Sequence, residues 1–537
     1  MKLRNVSIAC AFALAAPLAA TADEDVDIRN LFRGEHRVQQ NELYELSLDE
    51  LRLAGMRMFT NPFMVADGFG DGNKANPSGA QGDRGTLQAN GTFQRIGGLD
   101  GQTCLECHSI ISRRTVPMKF GIGGVGGMNN TVLGAGGNTF VDLNLQGRSN
   151  GSSKKNIDGR VINPPFIFGA GGIELLANEM TEELQAQIAA AADGVTTDLE
   201  ANGVSFGSIT KDATGNIVVD TDGNAVGAEG TASLNPSTEE FMVVQPFGRK
   251  GNEKSTRTFD IGALSFHFGM GVVTSEDDQE LVRRFYGQDI DVSGTDHDDD
   301  GVHNEVTQGE LSALSVFVGT AQTPFQTKVR GKARHGLQLM NKAGCTECHI
   351  PKMDTNGKNV GFRFPEIANE PSANIHTSVD LTKKPMSFEG NDNGGITIEL
   401  FADLKRHYMG ASLEEQDGDG MFTTMRLWGV ADTAPYLHDG RALNIRDAIL
   451  HHGGVPDKAT GGTSITDDGS EAFSAVSEFV AMSDNEQASI LAFLDTLRSP
   501  DGTFEELDSV ARKVAKAQGL RPSDDEDGHS DERRGRR

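Results

Sequence analysis

The pattern C-x-x-C-H occurs twice in this chain, as Cys104-Leu105-Glu106-Cys107-His108 and as Cys345-Thr346-Glu347-Cys348-His349. Two thiols three positions apart share one turn of chain and can reach the two vinyl groups of a single porphyrin. The histidine beside the second thiol then offers its imidazole to the iron. A thioredoxin-like dithiol or half of a zinc site would also use C-x-x-C, but neither calls for the adjacent histidine in both copies. The expected chemistry is that of two covalently bound haems c, with His108 and His349 as proximal iron ligands.

The far side of each iron decides what the haem does. Two protein ligands suit electron transfer, whereas an open sixth position suits peroxide or dioxygen. The most informative stretch is Thr433-Ala434-Pro435-Tyr436-Leu437-His438-Asp439-Gly440-Arg441-Ala442 with the residues that follow it. Asn444 with Asp447 predicts the start of a short helix. On that helix Ile445, Ala448, Ile449 and His452 stand at i, i+3, i+4 and i+7, while His451 is turned about 100° away. A histidine on an apolar face is often only a packed core residue. With a haem to be covered nearby, His452 becomes the candidate distal ligand of the second haem, and Met409, Met425 and His438 are its rivals.

If the first haem cleaves peroxide, it needs a distal acid that takes a proton from the near oxygen and delivers one to the far oxygen. Glu174 and Glu179 are the candidates; Glu182 and Glu183 read better as solvated acids at a helix start. His267, in Phe266-His267-Phe268, is either near this haem or simply packed. The run Asp296-His297-Asp298-Asp299-Asp300-Gly301 resembles the first half of a calcium loop. Thr307 stands where the closing acid belongs, so an abbreviated calcium loop and a solvated acidic turn both stay open. Asp417-Gly418-Asp419-Gly420 reads as a turn.

Several elements are expected to position these groups. Ser47 with Glu50 is a capping box before a helix whose Leu51, Met58 and Phe59 fall near one face. Thr181 is expected to cap a helix running roughly to Ala192. Thr307 with Glu310 caps Gln308–Thr320, and Ser483 with Glu486 starts a helix carrying Ile490, Leu491, Phe493 and Leu494. A further helical pattern covers Glu276–Tyr286. Val204-Ser205-Phe206, Ile217-Val218-Val219 and Asn224-Ala225-Val226, separated by Gly-containing turns, predict a small β-hairpin insertion. Residues 120–151 are dense in glycine and read as a long loop.

The chain opens with Met1-Lys2-Leu3-Arg4, an apolar run from Val6 to Ala20, and Ala20-Thr21-Ala22 before Asp23. This reads as a secretory signal peptide cleaved after Ala22; it is too short and alanine-rich for a membrane span. Of five cysteines, Cys10 leaves with the peptide and the haem motifs use the other four. No thiol then remains for a disulfide, so export serves haem attachment in the periplasm or outside. The formal net charge is −28. Nucleic acid and anionic membranes are therefore disfavoured partners, and a basic electron donor would be steered in. Simple solubility accounts for the charge equally well.

The two C-x-x-C-H motifs, T-x-P-Y-x-H-D-G-R-A and the helix ending at His452 resemble the bacterial di-haem cytochrome c peroxidase and MauG superfamily. The likeness is nearest to its di-haem oxidoreductase branch, on Pro246-Phe247-Gly248-Arg249-Lys250-Gly251, Asp403-Leu404-Lys405-Arg406-His407-Tyr408-Met409-Gly410, Arg426-Leu427-Trp428-Gly429 and His452-Gly453-Gly454. It covers most of residues 40–500 and leaves 110–160 and 193–235 poorly matched. It implies a mainly α fold of two cytochrome c-like haem domains around a shared interface, to which the residue pattern adds the long Gly-rich loops and the small β-hairpin insertion.

By this reading residues 1–22 are the signal peptide and 23–325 the N-terminal haem domain, with its β insertion at about 193–235. Residues 326–500 are the C-terminal cytochrome c domain, and 501–537 a helix and a disordered charged tail. The resemblance further implies calcium between the haems, with Thr433 and Pro435, and less directly Asn163, among its ligands. It places the second distal ligand on His452, where the peroxidases have Met and MauG has Tyr, and the peroxidase glutamate on Glu179, before Met180, with Glu174 as fallback. A His there lowers that haem's potential relative to Met. The only tryptophan, Trp428, lies in the second half, so the first-half relay tryptophan of MauG-like enzymes is missing.

The implied activity is reduction of hydrogen peroxide, with electrons passing from a small donor protein (a cytochrome or cupredoxin) through the C-terminal haem to the N-terminal one. Two other readings stay open. One is an oxygenase or protein-modifying enzyme that uses dioxygen or a high-valent state, since the branch includes members resembling rubber-cleaving oxygenases. The other is an electron carrier with no enzymatic activity.

Overall fold

A computed structural model describes residues 46–60, 167–214, 217–220, 242–251, 253–264, 306–363, 376–413, 420–438, 440–456 and 464–500, together with 63, 94–95, 98–99, 104, 108 and 165. The expectations placed on residues 1–22, Cys107, 120–151, Asn163, 224–226, His267, 276–286, 296–305, 417–419 and 501–537 lie outside the described residues.

Two sets of helices form two apolar cores. Helices α1 (Leu48–Thr60), α2 (Ala170–Ala190), α3 (Thr256–Ala263) and α4 (Gln308–Gly319) contribute to the first. Helices α5 (Lys332–Lys342), α6 (Ile445–His452), α7 (Phe473–Ala481) and α8 (Asp484–Leu494) form the second. Burial of their apolar faces supplies the main drive for packing. Their starts follow the sequence signals. Glu50 accepts from Ser47 N at 2.8 Å at the head of α1. Thr307 N donates to Glu310 at 3.1 Å at the head of α4, and Ser483 N donates to Glu486 at 2.9 Å at the head of α8. Each box satisfies backbone donors that a helix start leaves open.

Both cores rest on a close helix crossing. At Gly55 of α1 a side chain would run into the Ala313 carbonyl of α4, and at Gly336 of α5 into the Ser489 carbonyl of α8. Lacking a Cβ, these residues let the paired backbones approach.

Helix α2 differs from its sequence reading. It starts at Ala170, eleven positions before Thr181, which sits in mid-helix with its Oγ1 donating to Ala177 O at 2.7 Å. The paired Gly171 and Gly172 look like helix breakers in sequence. In the fold they are the places where Gly319 and the Phe388 ring press against the helix. The Thr181 hydroxyl also accepts from Val244 N at 3.0 Å, so it ties a neighbouring segment rather than capping.

Strands β1 (Thr196–Ala201), β2 (Val204–Lys211) and β3 (Ile217–Asp220) make an antiparallel sheet in that order. Leu199, Ala201, Val204, Phe206 and Ile209 point into the first core. The strand at Thr196 was not expected, because Thr-Thr-Asp-Leu-Glu-Ala has little apolar alternation. Its outer edge is held by Gln187, which brackets the backbone of Glu200 at 2.6 and 3.0 Å.

After the second C-x-x-C-H the chain crosses back to the first core. Strands β4 (Asn359–Arg363) and β5 (His376–Asp380) pair antiparallel, and Val360, Val379, Ile396, Ile398 and Leu400 are buried there. Leu400 belongs to the first core and Phe401 to the second. Ala402 and Leu404 return to the first core, and β6 (Arg406–Tyr408) then pairs with β7 (Met421–Thr423), His407 opposite Phe422. Among the described residues no helix is long and apolar enough to cross a membrane.

Candidate haem sites

The first and last residues of the two motifs share one hydrogen bond. His108 N donates to Cys104 O at 2.8 Å, and His349 N to Cys345 O at 3.0 Å, each closing one helical turn. Cys345–Glu347 is a short 3-10 turn entered through left-handed Gly344. Cys104 packs against the first core and Cys345 against the second. Cys104, Cys345 and Cys348 are half-buried. Burial, aided by Cys348 and Glu347, pushes the Cys345 thiol up to about 11.

The three histidines singled out in sequence share one hydrogen-bond pattern. The Nδ1 atom of His108 lies 2.8 Å from Pro165 O. That of His349 lies 2.9 Å from Phe401 O, and that of His452 lies 2.7 Å from Ala448 O. A carbonyl only accepts, so each Nδ1 carries the hydrogen and each Nε2 keeps a lone pair. This is the tautomer and orientation a metal-bound imidazole needs. Burial also lowers the pKa of His349, to about 4, with the Phe401 bond opposing and His452 assisting. Burial lowers His452 in the same way. Both rings are therefore neutral and ligand-competent.

The His349 and His452 ring centres are 6.5 Å apart with planes at 59°. Metal–imidazole bonds of about 2 Å on opposite sides of one ion bring ring centres to roughly 6 Å. The pair therefore fits an iron held between two histidines. Of the rivals, Met425 is exposed, and the His438 ring stacks on Phe422 at 4.8 Å. Met409 N is bonded to Gly420 O at 2.9 Å.

Around the first motif, His108 meets the Phe259 ring edge-on at 6.3 Å. Phe259 lies on α3, one turn after Thr256, whose N and Oγ1 donate to Glu174 at 2.8 and 2.9 Å. Glu174 is buried; burial raises its pKa and the two Thr256 bonds oppose that. Asp260 lies on the same helix, is raised well above the usual range by burial, and accepts from Ser315 at 3.0 Å.

Glu179 has a different setting. It is half-buried and accepts from Asn356 N and Gly357 N, both at 2.6 Å, so it pins the 355–357 turn onto α2. Burial raises its pKa and these two backbone bonds lower it. The two glutamates, five residues apart, thus serve different surroundings. Thr433 follows the 3-10 turn Val430–Asp432. Its Oγ1 lies 3.5 Å from Val430 O. Pro435 follows a cis peptide bond.

Trp428 packs against Gly169 and the Phe388 ring. Gly169, four residues beyond Pro165, has φ +75°, and a Cβ there would lie 2.6 Å from Trp428 Cη2. Only glycine meets both demands. On the other side Leu427 N donates to Leu400 O at 3.0 Å, next to the Phe401 carbonyl that holds His349. Sequence reading also missed the pair of carboxylates that grip His407. Asp403, four residues before it, was a usable signal; Glu471, far along the chain, was not.

No family model and no curated protein matches this chain. Among solved structures 28 chains match. One is the crystal structure of a MauG-like protein associated with microbial copper homeostasis, at 19% identity and a TM-score of 0.21. The match covers 35% of this chain and spans 56% of that one.

Proposed function

We propose that the chain is an exported oxidoreductase carrying two haems c, which reduces hydrogen peroxide with electrons from a small, basic donor protein. The observation that carries this is the facing pair His349 and His452, each with Nδ1 tied to a carbonyl. A histidine on either side suits a centre that passes electrons without binding substrate. Cys104, Cys107 and His108 would hold the first haem, and Cys345, Cys348, His349 and His452 the second. The haems, when bound, supply one-electron chemistry and the site at which peroxide is activated.

The chain's own groups do the rest. Pro165 O and Phe401 O orient the two proximal imidazoles. Glu174 is the better acid of the two candidates. It is buried beside α3, whose Phe259 meets His108, and its Oε2 accepts from both N and Oγ1 of Thr256. Glu179 is committed to the backbone of another turn. Trp428 packs on Gly169, four residues after Pro165.

The test is peroxide consumption by the two-haem protein with a reduced small cytochrome, followed by donor oxidation. Rapid turnover is expected, with a loss of about 100-fold or more in Glu174→Gln, the usual scale for a removed acid–base group, and little change in Glu179→Gln. No turnover, with a first haem that forms a stable dioxygen complex, would replace this reading with the oxygenase one. Two haems that bind neither peroxide nor cyanide would leave an electron carrier.

A further inference from the structure

His407 is gripped from both sides. Its Nε2 lies 2.8 Å from Asp403 Oδ2, and its Nδ1 lies 2.8 Å from Glu471 Oε2. A neutral imidazole has one N–H and one lone pair, so it can satisfy only one carboxylate. With both carboxylates ionised, as the further backbone N–H groups of Lys405 and Tyr408 donating to them favour, the second contact takes a second N–H. The geometry therefore holds the ring as an imidazolium, a cation between two anions.

The clamp is built in at some cost to the backbone. Phe401 and Leu404, on either side of Asp403, both have positive φ, at 56° and 62°. Non-glycine residues rarely adopt this, and it persists only where the surroundings impose it. Here it turns the Phe401 carbonyl to His349 while Asp403 reaches His407. Asp403 is buried, and its other oxygen accepts from Lys405 N at 2.9 Å. Glu471 also accepts from Tyr408 N at 2.8 Å. The residue before it, Ser470, donates to the carbonyl of His452. His407 thus joins the loop behind the proximal histidine to the segment behind the distal one.

The cation also lies beside the cofactor attachment point. His407 Nδ1 is 3.9 Å from Cys348 Sγ. We propose that His407 is a positioning residue of the second haem, a fixed imidazolium that raises the haem's reduction potential and staples the two walls of its pocket. This rests on the reading of Cys345, Cys348, His349 and His452 as that haem's site. A haem held there would take one electron from the donor on reduction, and a cation nearby would favour that product. No proton need accompany the electron, because the ring is already protonated. Without His407, Asp403 and Glu471 would lose the cation they share.

The experiment compares the native protein with His407→Gln and His407→Lys by haem content and by spectroelectrochemical titration of the low-spin haem. Native protein with two haems per chain establishes the underlying reading on its own; a single haem, or none, overturns both. Given two haems, the inference expects the low-spin potential to fall in His407→Gln and to stay near the native value in His407→Lys, which keeps the charge. Loss of the second haem in the Gln variant with a native potential in the Lys variant supports it equally. A native potential in His407→Gln overturns it. So does an equal shift, or equal loss of haem, in both variants, since that would follow from broken packing without any part for the charge.

Discussion

A ligand histidine must keep the lone pair of the nitrogen that meets the metal. His452 stands on an apolar face, where either role is possible in sequence. Its Nδ1 bond to Ala448 O leaves the lone pair on Nε2, and its ring centre lies 6.5 Å from that of His349. His452→Ala is therefore expected to convert the second haem from low-spin to high-spin in its absorption and electron paramagnetic resonance spectra. An unchanged low-spin signal would assign the position to another side chain. Glu174 and Glu179 show the converse case. They look alike in sequence, yet one is turned into the protein beside α3 and the other is spent on two backbone amides.

Among the elements, α3 concentrates buried acid. Its Asp260, together with Glu174 opposite it and Glu253 just before it, are all buried. Burial raises Glu253 from its ordinary 4.5 to about 7, against the opposing Thr258 bond and Lys254. The native state therefore binds this proton more tightly than the unfolded chain. Its contribution is fully present below pH 4.5 and is lost as pH rises to about 7, a difference on the order of 3 kcal/mol. Glu174 and Asp260 shift in the same direction. The melting temperature of the first core should fall between pH 5 and 7.5. Glu253→Gln should flatten that slope, and a slope unaltered by the change would place the titration elsewhere.

For the whole molecule, the segment 353–404 matters most. It follows the second C-x-x-C-H in sequence but packs its strands into the first core. In doing so it brings Leu400 and Phe401, which belong to different cores, next to Leu427, whose N donates to Leu400 O, while the neighbouring Trp428 packs on Gly169. The sole tryptophan, late in the chain, thus touches the segment that follows Pro165. On the proposed two-haem reading, Trp428→Phe is expected to slow passage of an electron from the second haem to the first in single-turnover experiments while both haem spectra stay native. An unchanged rate would show that the electron takes another path.

Local chemistry was legible in sequence. The paired C-x-x-C-H motifs, the capping boxes at Ser47, Thr307 and Ser483, and the stripe that carries His452 depend on residues within a turn or two of each other. Short-range spacing fixes such features whatever the rest of the chain does. The early start of α2 was hidden because Gly171 and Gly172 take their meaning from Gly319 and Phe388, which only packing brings near. The grip of Asp403 and Glu471 on His407, the separate fates of Glu174 and Glu179, and the position of Trp428 all join residues far apart in sequence. Contacts of that kind carry no periodic signal, since they are set by how two cores share one returning segment, and only the tertiary structure decided them.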